Sequence, residues 1–340
     1  MSTSRLDVVG IGNAIVDIIG RCDDQFLASH GLAKGHMRLI EAEEVSKLYG
    51  AMGPAVESSG GSVANTMAGI ASFGGRAGFI GKVADDEFGR IFGHDIRKHG
   101  VAFTTAVAKG KGKGLDTGTA PTARCLVLVT PDGERTMSTF LGVSPLLDQG
   151  EVDPDMIRNA RIVYLEGYLF DRPEAKTAFY QAADIAKAAN TKVALSLSDS
   201  FCVDRHRDAF LDLIRTKVDI LFANESELMA LYQTKVFDDA VTAAREDSPL
   251  CVATRGSKGS LILAGDRTTE VQVEPVARVV DTTGAGDLYA AGFLFGYAKG
   301  QDLKVCGRLA SIAAAEIISH IGARPQIPLE KLARQAGLPV

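Results

Sequence analysis

Residues 279–288, VVDTTGAGDL, decide the fold because they contain the sharpest change of local structure in the chain. Two valines lead into a Gly-Ala-Gly turn, which predicts the end of a strand followed by a tight turn. A helix is predicted after the turn, since small and apolar residues recur on one helical face: Leu288, Ala291, Gly292 and Phe295. Lys299 and Gly300 provide a suitable helix end. This order of elements indicates an α/β protein.

The first turn of this predicted helix is a candidate anion site. Glycines let a ligand approach the backbone closely, and the free amides and dipole of a helix N-terminus favour an anion. A phosphate that gains charge in a transition state suits such a site, and Asp287 can accept a proton from an attacking hydroxyl. We therefore predict an anion hole at Gly284, Ala285 and Gly286, with Asp287 as general base. The alternative is a tight turn with a favourable first-turn charge and no ligand.

Two segments near the N-terminus indicate a hydroxylated ligand. Gly60 and Gly61 precede a predicted helix, and the Asn65 amide can both donate to and accept from a sugar hydroxyl. Asp17 lies in the apolar stretch 14–19, where a carboxylate is costly unless it has partners. The two vicinal hydroxyls of a ribose would suit its two oxygens. The alternatives are a simple turn before the helix and an exposed strand carboxylate.

Residues 224–227, NESE, allow two interpretations. Asn224 as N-cap and Glu227 at the third helical position form a near capping box. The functional alternative is that Glu227 holds Mg²⁺ through water and orients a phosphate. Other nucleotide motifs fail: residues 75–82, GRAGFIGK, lack Walker A spacing, and Ile15 replaces the third glycine of a dinucleotide fingerprint.

The remaining chain predicts alternating strands and helices. Strands are predicted at 6–10, 76–83, 162–165, 192–197, 219–222, 250–254 and 260–263. Helices are predicted at 62–73, 173–189, 205–216 and 225–232. This alternation predicts a three-layer α/β/α, doubly wound and mostly parallel sheet. Residues 108–120, rich in glycine and lysine, predict a flexible exposed loop.

A β-rich insertion interrupts the alternation. Residues 124–130 and 134–140 flank the turn Pro131-Asp132-Gly133 and predict a hairpin. The hairpin and the region before residue 41 form a predicted lid. The predicted boundaries are 13–40 and 101–143 for the lid, and 1–12, 41–100 and 144–340 for the large α/β domain.

Composition and charge exclude several classes of protein. The 340 residues are 46% hydrophobic and 23% charged, which is ordinary for a folded soluble protein. The net charge of −5 provides no general attraction to nucleic acid or anionic membranes. We expect no signal peptide, because no apolar run follows the charges of residues 1–7, and no membrane span, because no apolar run reaches about 18 residues. Five scattered cysteines without C-x-x-C indicate a reducing, cytoplasmic compartment, and the chain can be a monomer or a homodimer.

Together these motifs resemble the PfkB carbohydrate kinase family, also called ribokinase-like. Residues 60–65 and 81–89 resemble its N-terminal signature, 281–287 its C-terminal signature, and 224–227 its N-x-x-E motif. The resemblance covers nearly the whole chain. It implies an α/β/α fold with a β-sheet lid, binding of ATP with Mg²⁺, and phosphorylation of a primary hydroxyl on a sugar or nucleoside. It leaves open whether a monovalent cation such as K⁺ orders the anion hole.

The resemblance also assigns residues to the donor and the transferring phosphate. Asp287 is implied as the base and Gly284, Ala285 and Gly286 as the anion hole, while Arg135 steadies the phosphate. Residues implied to hold the nucleotide and its magnesium, the latter through water on Glu227, are Asn224, Glu227, Thr254, Gly256 and Gly259.

Within the family, residues 10–17, 195–201 and 218–225 are most similar to members that phosphorylate adenosine. This similarity implies transfer of the γ-phosphate to the 5′-hydroxyl of a nucleoside, with a purine stacked on Tyr168 and Phe201. The implied substrate residues are Asn13, Asp17, Met37, Leu39, Gly60, Gly61, Ser62, Asn65, Cys125, Leu141, Tyr168 and Phe201. The alternatives are a kinase for ribose, fructose or a related sugar, and a nucleotide-binding protein without catalysis.

Overall fold

Apolar runs of five to seven residues form most strands of a central sheet, as their alternation with helices predicts. The computed structural model describes residues 5–104 and 120–340, so the loop predicted at 108–120 lies outside the described residues except for Ala120. Within these ranges the strands are β1 (Leu6–Ile11), β2 (Ile15–Arg21), β3 (Met37–Leu39), β4 (Ala55–Gly60), β5 (Ala77–Ile80), β6 (Val101–Phe103), β7 (Ala123–Val129), β8 (Arg135–Phe140), β9 (Ala160–Glu166), β10 (Lys192–Ser196), β11 (Ile220–Asn224), β12 (Leu250–Thr254), β13 (Ser260–Ala264) and β14 (Arg267–Val271).

Helices separate most of these strands, and the four predicted at 62–73, 173–189, 205–216 and 225–232 are confirmed. In the described ranges the α-helices are α1 (Asp24–Ser29), α2 (Ala42–Ala51), α3 (Ser62–Ser72), α4 (Glu87–Lys98), α5 (Pro154–Arg158), α6 (Pro173–Ala188), α7 (Ser200–Thr216), α8 (Glu225–Leu231), α9 (Phe237–Asp247), α10 (Ala285–Ala298), α11 (Leu303–Ile317) and α12 (Leu329–Gln335). None of these helices has the length and apolar content that a membrane span requires.

The large sheet has nine strands in the order β14-β13-β12-β11-β10-β9-β1-β5-β6, counted over the described residues. The strands from β12 to β6 are parallel, and β13 and β14 add an antiparallel edge. Successive residues of β1 point into different cores: Val8 packs with α3, α10 and α11, and Val9 packs with α6, α7 and α8. Helices therefore cover both faces, and the predicted three-layer architecture is confirmed.

The second sheet is the predicted lid, with the described strand order β3-β8-β7-β2-β4. The predicted hairpin is present, because β7 and β8 pair antiparallel with Val129 opposite Arg135. Residues alternate across β2: Val16 and Ile18 are fully buried in the core that also holds residues of α1 and α2, whereas Asp17 faces a cavity. The lid thus presents one side to its own helices and the other to the large sheet.

Two predicted boundaries of the lid are wrong. Residues 41–100 were assigned to the large domain, yet β4 pairs with β2 and α2 packs on β7 and β8 of the lid. Residues 101–143 were assigned to the lid, yet β6 pairs with β5 in the large sheet. Both strands are edge strands whose partner is distant in sequence, so their local pattern could not show which sheet they join.

The strand predicted at the start of residues 279–288 is also wrong. All of residues 272–284 are described, and none of them belongs to a strand. Val279 is 52% exposed, and the Val280 amide donates to the Ile318 carbonyl at 2.8 Å. The two valines therefore run along the end of α11 and do not extend the sheet.

Close packing of α10 on α11 leads to a prediction about Gly292. A Cβ there would lie 2.5 Å from the Leu309 carbonyl oxygen and 2.6 Å from the Ala310 nitrogen, and neither backbone atom can move freely. Gly292→Ala is therefore expected to lower the free energy of unfolding in urea by about 2 kcal/mol. The matched control is Gly50→Ala in α2, where a Cβ meets no atom within 4 Å, and about 0.5–1 kcal/mol of stabilisation is expected. Equal unfolding midpoints for the two variants would contradict the packing argument.

Candidate active site

Two cavities meet at the first turn of α10. One, of about 390 Å³, lies between the lid and the carboxyl ends of the parallel strands. The other, of about 470 Å³, lies between the same turn and α11, and the two share Thr254, Gly286 and Tyr289. Ligands of open α/β sheets bind at this edge, so the pair of cavities forms the candidate site.

The first cavity gathers predicted residues from distant parts of the chain. Lid strands, the starts of α3 and α10 and the end of β11 all reach it. The predicted residues in its wall are Asp17, Gly61, Ser62, Asn65, Cys125, Arg135, Tyr168, Asn224, Glu227, Thr254, Gly284, Gly286 and Asp287.

Asp287 lines this cavity from the first turn of α10. Its Oδ1 accepts a hydrogen bond from Ser62 Oγ at 2.6 Å, and its Oδ2 accepts one from Asn65 Nδ2 at 2.9 Å. Burial raises the pKa of Asp287 above its ordinary value, while these two hydrogen bonds and the charge of Arg324 oppose the rise. The carboxylate is thus oriented by neutral donors and made more basic by burial.

The turn predicted as the anion hole has only some of its predicted amides free, because the Ala285 amide donates to the Thr282 carbonyl at 3.2 Å. Gly284 is the N-cap of α10 with φ 79°, and a Cβ there would approach Ala323 to 3.1 Å. The next amides in the turn, those of Gly286 and Asp287, donate to no acceptor in residues 5–104 and 120–340. Free amides at a helix N-terminus bind anions, so this turn can hold a phosphate between the two cavities.

Asp17 faces the same cavity from the lid. Its carboxylate accepts no hydrogen bond from any described residue, and burial raises its pKa to about 6 despite the charges of Arg324 and Arg135. A Cβ on Gly60 would lie 2.3 Å from Asp17 Oδ2, so the glycine leaves the space that the carboxylate occupies. A partly buried carboxylate that accepts no hydrogen bond from the described chain is a ready acceptor for ligand hydroxyls.

An ion pair connects the lid to the loop before α10. Arg135 at the start of β8 lies 2.5 Å from Asp281 Oδ2, and both side chains are buried. Asp281 also accepts from the amides of Thr283 at 3.0 Å and Gly322 at 3.2 Å. Arg135 therefore lies at the cavity wall beside the anion hole.

Asn224 and Glu227 form a complete capping box at the start of α8. Asn224 Oδ1 accepts from the Glu227 amide at 2.9 Å, and the Glu227 carboxylate accepts from the Asn224 amide at 2.8 Å and from its Nδ2 at 2.6 Å. Burial raises the pKa of Glu227 to about 7. The structural interpretation is confirmed, and the same carboxylate also lines the first cavity.

The second cavity is mainly apolar. Its walls include Val271, Val273, Ala314 and Ile318, and the predicted nucleotide residues Thr254, Gly256 and Gly259 lie along it together with Ala285. Gly259 has φ 79°, and a Cβ there would lie 2.1 Å from the Val271 carbonyl oxygen. The cavity suits a flat apolar group whose polar end reaches the shared turn.

Several predicted substrate residues lie outside both cavities, so the structure does not bring them to the candidate site. Asn13 is buried, and its Nδ2 donates to Glu166 at 2.6 Å. Phe201 is 74% exposed at the start of α7. Met37 is exposed on the edge strand β3, and its partner Met137 lines the cavity in its place. The residues outside the two cavities are Asn13, Met37, Leu39, Gly60, Leu141 and Phe201.

Two charged residues beside the site, the buried Glu166 and the partly buried Arg324, were not predicted from the sequence. Arg324 donates to Asn65 and Ser59. Glu166 accepts from the Val63 amide, at the start of α3, and from the Asn13 amide. Burial raises the pKa of Glu166 to about 7. The only sequence signal for Glu166 is a charge at the end of an apolar strand, and the only signal for Arg324 is a charge within residues 321–325. Neither charge belongs to a periodic pattern.

A glycine cradle for an anion, an oriented carboxylate beside it and a cavity on each side define a phosphotransferase with an alcohol acceptor. The chain belongs to the pfkB family of carbohydrate kinases, whose model matches residues 27–330. Kinases of this family use ATP as phosphate donor.

The names of similar proteins indicate different substrates. The structure of a probable sugar kinase from Rhizobium etli CFN 42 has 47% identity and a TM-score of 0.89, and the match covers 99% of this chain and 100% of that one. The structure of adenosine kinase from Sinorhizobium meliloti has 50% identity and a TM-score of 0.87, with 98% and 99% covered. A probable chloroplastic fructokinase-6 from Arabidopsis thaliana is 30% identical, with 89% of this chain and 80% of the relative covered.

Proposed function

We propose that the protein transfers the γ-phosphate of ATP to the 5′-hydroxyl of a nucleoside, with adenosine as the preferred acceptor. One observation carries this proposal: the lid carboxylate of Asp17, which accepts no hydrogen bond from the described residues, faces the same cavity as Asp287. A ribose bound by its vicinal hydroxyls at Asp17 would extend its 5′-hydroxyl toward Asp287. The name of the S. meliloti relative supports adenosine.

The first cavity also has room and surface for a base. Its volume of about 390 Å³ lies within the ordinary range of small-molecule sites. Tyr168, Met137 and Phe222 give it an apolar wall next to the polar residues that would hold the ribose. An aromatic and thioether wall suits the π-face of a purine better than a free sugar, all of whose faces carry hydroxyls.

The chain's own residues account for the chemistry. The acceptor oxygen attacks the γ-phosphorus, the bond from phosphorus to the ADP oxygen breaks, and the hydroxyl proton passes to Asp287. Ser62 and Asn65 orient that carboxylate, and the amides of Gly286 and Asp287 stabilise the charge on the phosphoryl oxygens. Lid residues over the cavity exclude water, a competing acceptor.

The second cavity would hold the nucleoside part of ATP, with its phosphates at the shared turn. Magnesium in kinases keeps several waters and binds substrate phosphates together with one or two carboxylates. Glu227 fits such a role because it lines the cavity. Both of its carboxylate oxygens also accept hydrogen bonds in the capping box, so its contact with magnesium would be through water. Bound magnesium would neutralise phosphate charge there.

We further propose a cytoplasmic enzyme, since the cysteines Cys22, Cys125, Cys202, Cys251 and Cys306 are all free thiols. We also propose that the enzyme is a monomer or a homodimer.

A kinetic panel tests the proposed function. ADP release is measured with ATP and magnesium, using adenosine, three other nucleosides, ribose and fructose as acceptors. Adenosine is expected to give the highest kcat/KM, by at least about tenfold over either sugar. The names of the R. etli and A. thaliana relatives favour a sugar kinase, so a higher kcat/KM for ribose or fructose would replace the proposal with that function.

A further inference from the structure

Arg324 lies beneath the candidate site, in the segment that follows α11. Its Nη1 donates to the Asn65 Oδ1 at 2.8 Å and to the Ala64 carbonyl at 3.0 Å. Its Nη2 donates to the Ser59 carbonyl at 2.6 Å and to Ser59 Oγ at 3.0 Å. One guanidinium therefore joins the end of the lid strand β4 to the first turn of α3.

Arg324 has no directly bonded anionic partner in the described part of the chain, although the charges of Asp17, Asp95 and Asp287 favour its ionised form. All four acceptors are neutral, and in the described ranges Arg324 makes no ion pair within 4.0 Å while its Nε has no hydrogen-bond partner. Burial lowers the pKa of Arg324 to about 10, so the group stays charged at neutral pH. Four neutral acceptors therefore hold this partly buried charge next to Asn65, which lines the first cavity.

The contact with Asn65 has a direct consequence for Asp287. A carboxamide has one accepting oxygen and one donating nitrogen. Because Arg324 occupies the Asn65 oxygen, the Asn65 nitrogen is directed to Asp287 Oδ2 at 2.9 Å. The flipped amide would place its NH₂ against a guanidinium and its oxygen against a carboxylate, and both contacts are repulsive.

We propose that Arg324 is a positioning residue: it fixes the orientation of the Asn65 amide and thereby holds the Asp287 carboxylate toward the acceptor hydroxyl. This inference rests on the proposed kinase function. Arg324 itself lines neither cavity, so it acts through Asn65.

The segment that carries Arg324 is held at both ends. The Gly322 amide donates to Asp281 Oδ2 at 3.2 Å, and the Gln326 and Ile327 amides donate to the buried Glu316 at 2.8 and 2.9 Å. The guanidinium therefore has a fixed base from which to orient Asn65.

A double-mutant cycle on kcat tests the inference, with the best acceptor of the kinetic panel. Arg324→Gln is expected to lower kcat about tenfold and Asn65→Ala about thirtyfold, with acceptor KM changed less than about threefold. Since Arg324 acts through Asn65, the double variant is expected to match Asn65→Ala within about threefold. Losses that multiply to about 300-fold would overturn the positioning role.

Two further variants separate orientation from charge and from general stability. Arg324→Lys keeps the charge but cannot reach Ser59 and Asn65 together, so its kcat is expected to match that of Arg324→Gln; full activity would overturn the proposal. Arg207→Gln, which removes a bond to the Leu231 carbonyl on another face, is expected to leave kcat unchanged. If the parent protein phosphorylates no acceptor, the proposed function fails and the inference fails with it. An active parent with multiplying losses refutes the inference alone.

Discussion

Asp287→Asn is expected to lower kcat by about 10²- to 10⁴-fold, the range ascribed to a general base. The asparagine keeps the shape of the side chain and can still accept from Ser62, but it cannot take the proton of the acceptor hydroxyl. Adenosine binding is expected to change little, because ribose recognition is assigned to Asp17. The measurements are kcat from initial rates and the adenosine Kd from calorimetry.

The matched control for this prediction is Asp302→Asn. Asp302 is the N-cap of α11, where asparagine caps equally well, and kcat should not change. If Asp287→Asn retained kcat within about threefold of the parent, Asp287 would not be the base.

The pH dependence of kcat follows from the same residue. Asp287 must be ionised to accept a proton, and burial raises its pKa above the ordinary value. The kcat of the parent should therefore fall as pH decreases through that raised pKa, at a higher pH than an exposed aspartate would give. The residual kcat of Asp287→Asn should lack this acid limb.

Asp17→Asn is expected to raise the KM for adenosine by about 30- to 150-fold while kcat changes much less. The carboxylate can accept from both ribose hydroxyls, whereas an amide offers one acceptor and leaves one hydroxyl facing an NH₂ group. Losing a hydrogen bond to a charged group costs about 2–3 kcal/mol, which corresponds to that range of KM. Deoxyadenosine, which lacks one of the two hydroxyls, should discriminate less between parent and variant.

The same substitution is expected to stabilise the folded protein. The pKa of Asp17 is raised from 3.8 to about 6, so the folded state binds this proton more tightly than the unfolded state does. Ionised Asp17 therefore costs stability above pH 6, and the cost disappears as pH falls below about 4. Asp17→Asn should raise the free energy of unfolding at pH 7 by about 2 kcal/mol and have little effect at pH 4. Lower stability together with unchanged KM would contradict both parts of this prediction.

Asp17 is thus a site residue whose charge lowers the stability of the folded protein. Its carboxylate sits among apolar neighbours of the lid, near a buried arginine and without a hydrogen-bond donor from the described chain. Ligand hydroxyls would supply the missing donors, so acceptor binding should stabilise the folded protein.

Local sequence determined the parts of this protein that depend on local chemistry. Gly284 must adopt φ 79°, and the glycines and Asp287 around it predict a phosphate-binding helix start wherever the helix lies. The turn at 131–133 predicted its hairpin, and the alternation of apolar runs predicted the parallel sheet. Each of these features is decided by residues within a few positions of one another.

Tertiary structure alone decided the features that depend on distant partners. The edge strand β4 pairs with the lid, and the edge strand β6 pairs with the large sheet. Asn13 donates a hydrogen bond to the buried Glu166, and Phe201 is exposed to solvent. Arg324 came to Asn65 from 259 positions away. Buried polar groups need hydrogen-bond partners, and these partners are often distant in sequence. Sequence spacing therefore does not predict which groups the fold brings within hydrogen-bond distance.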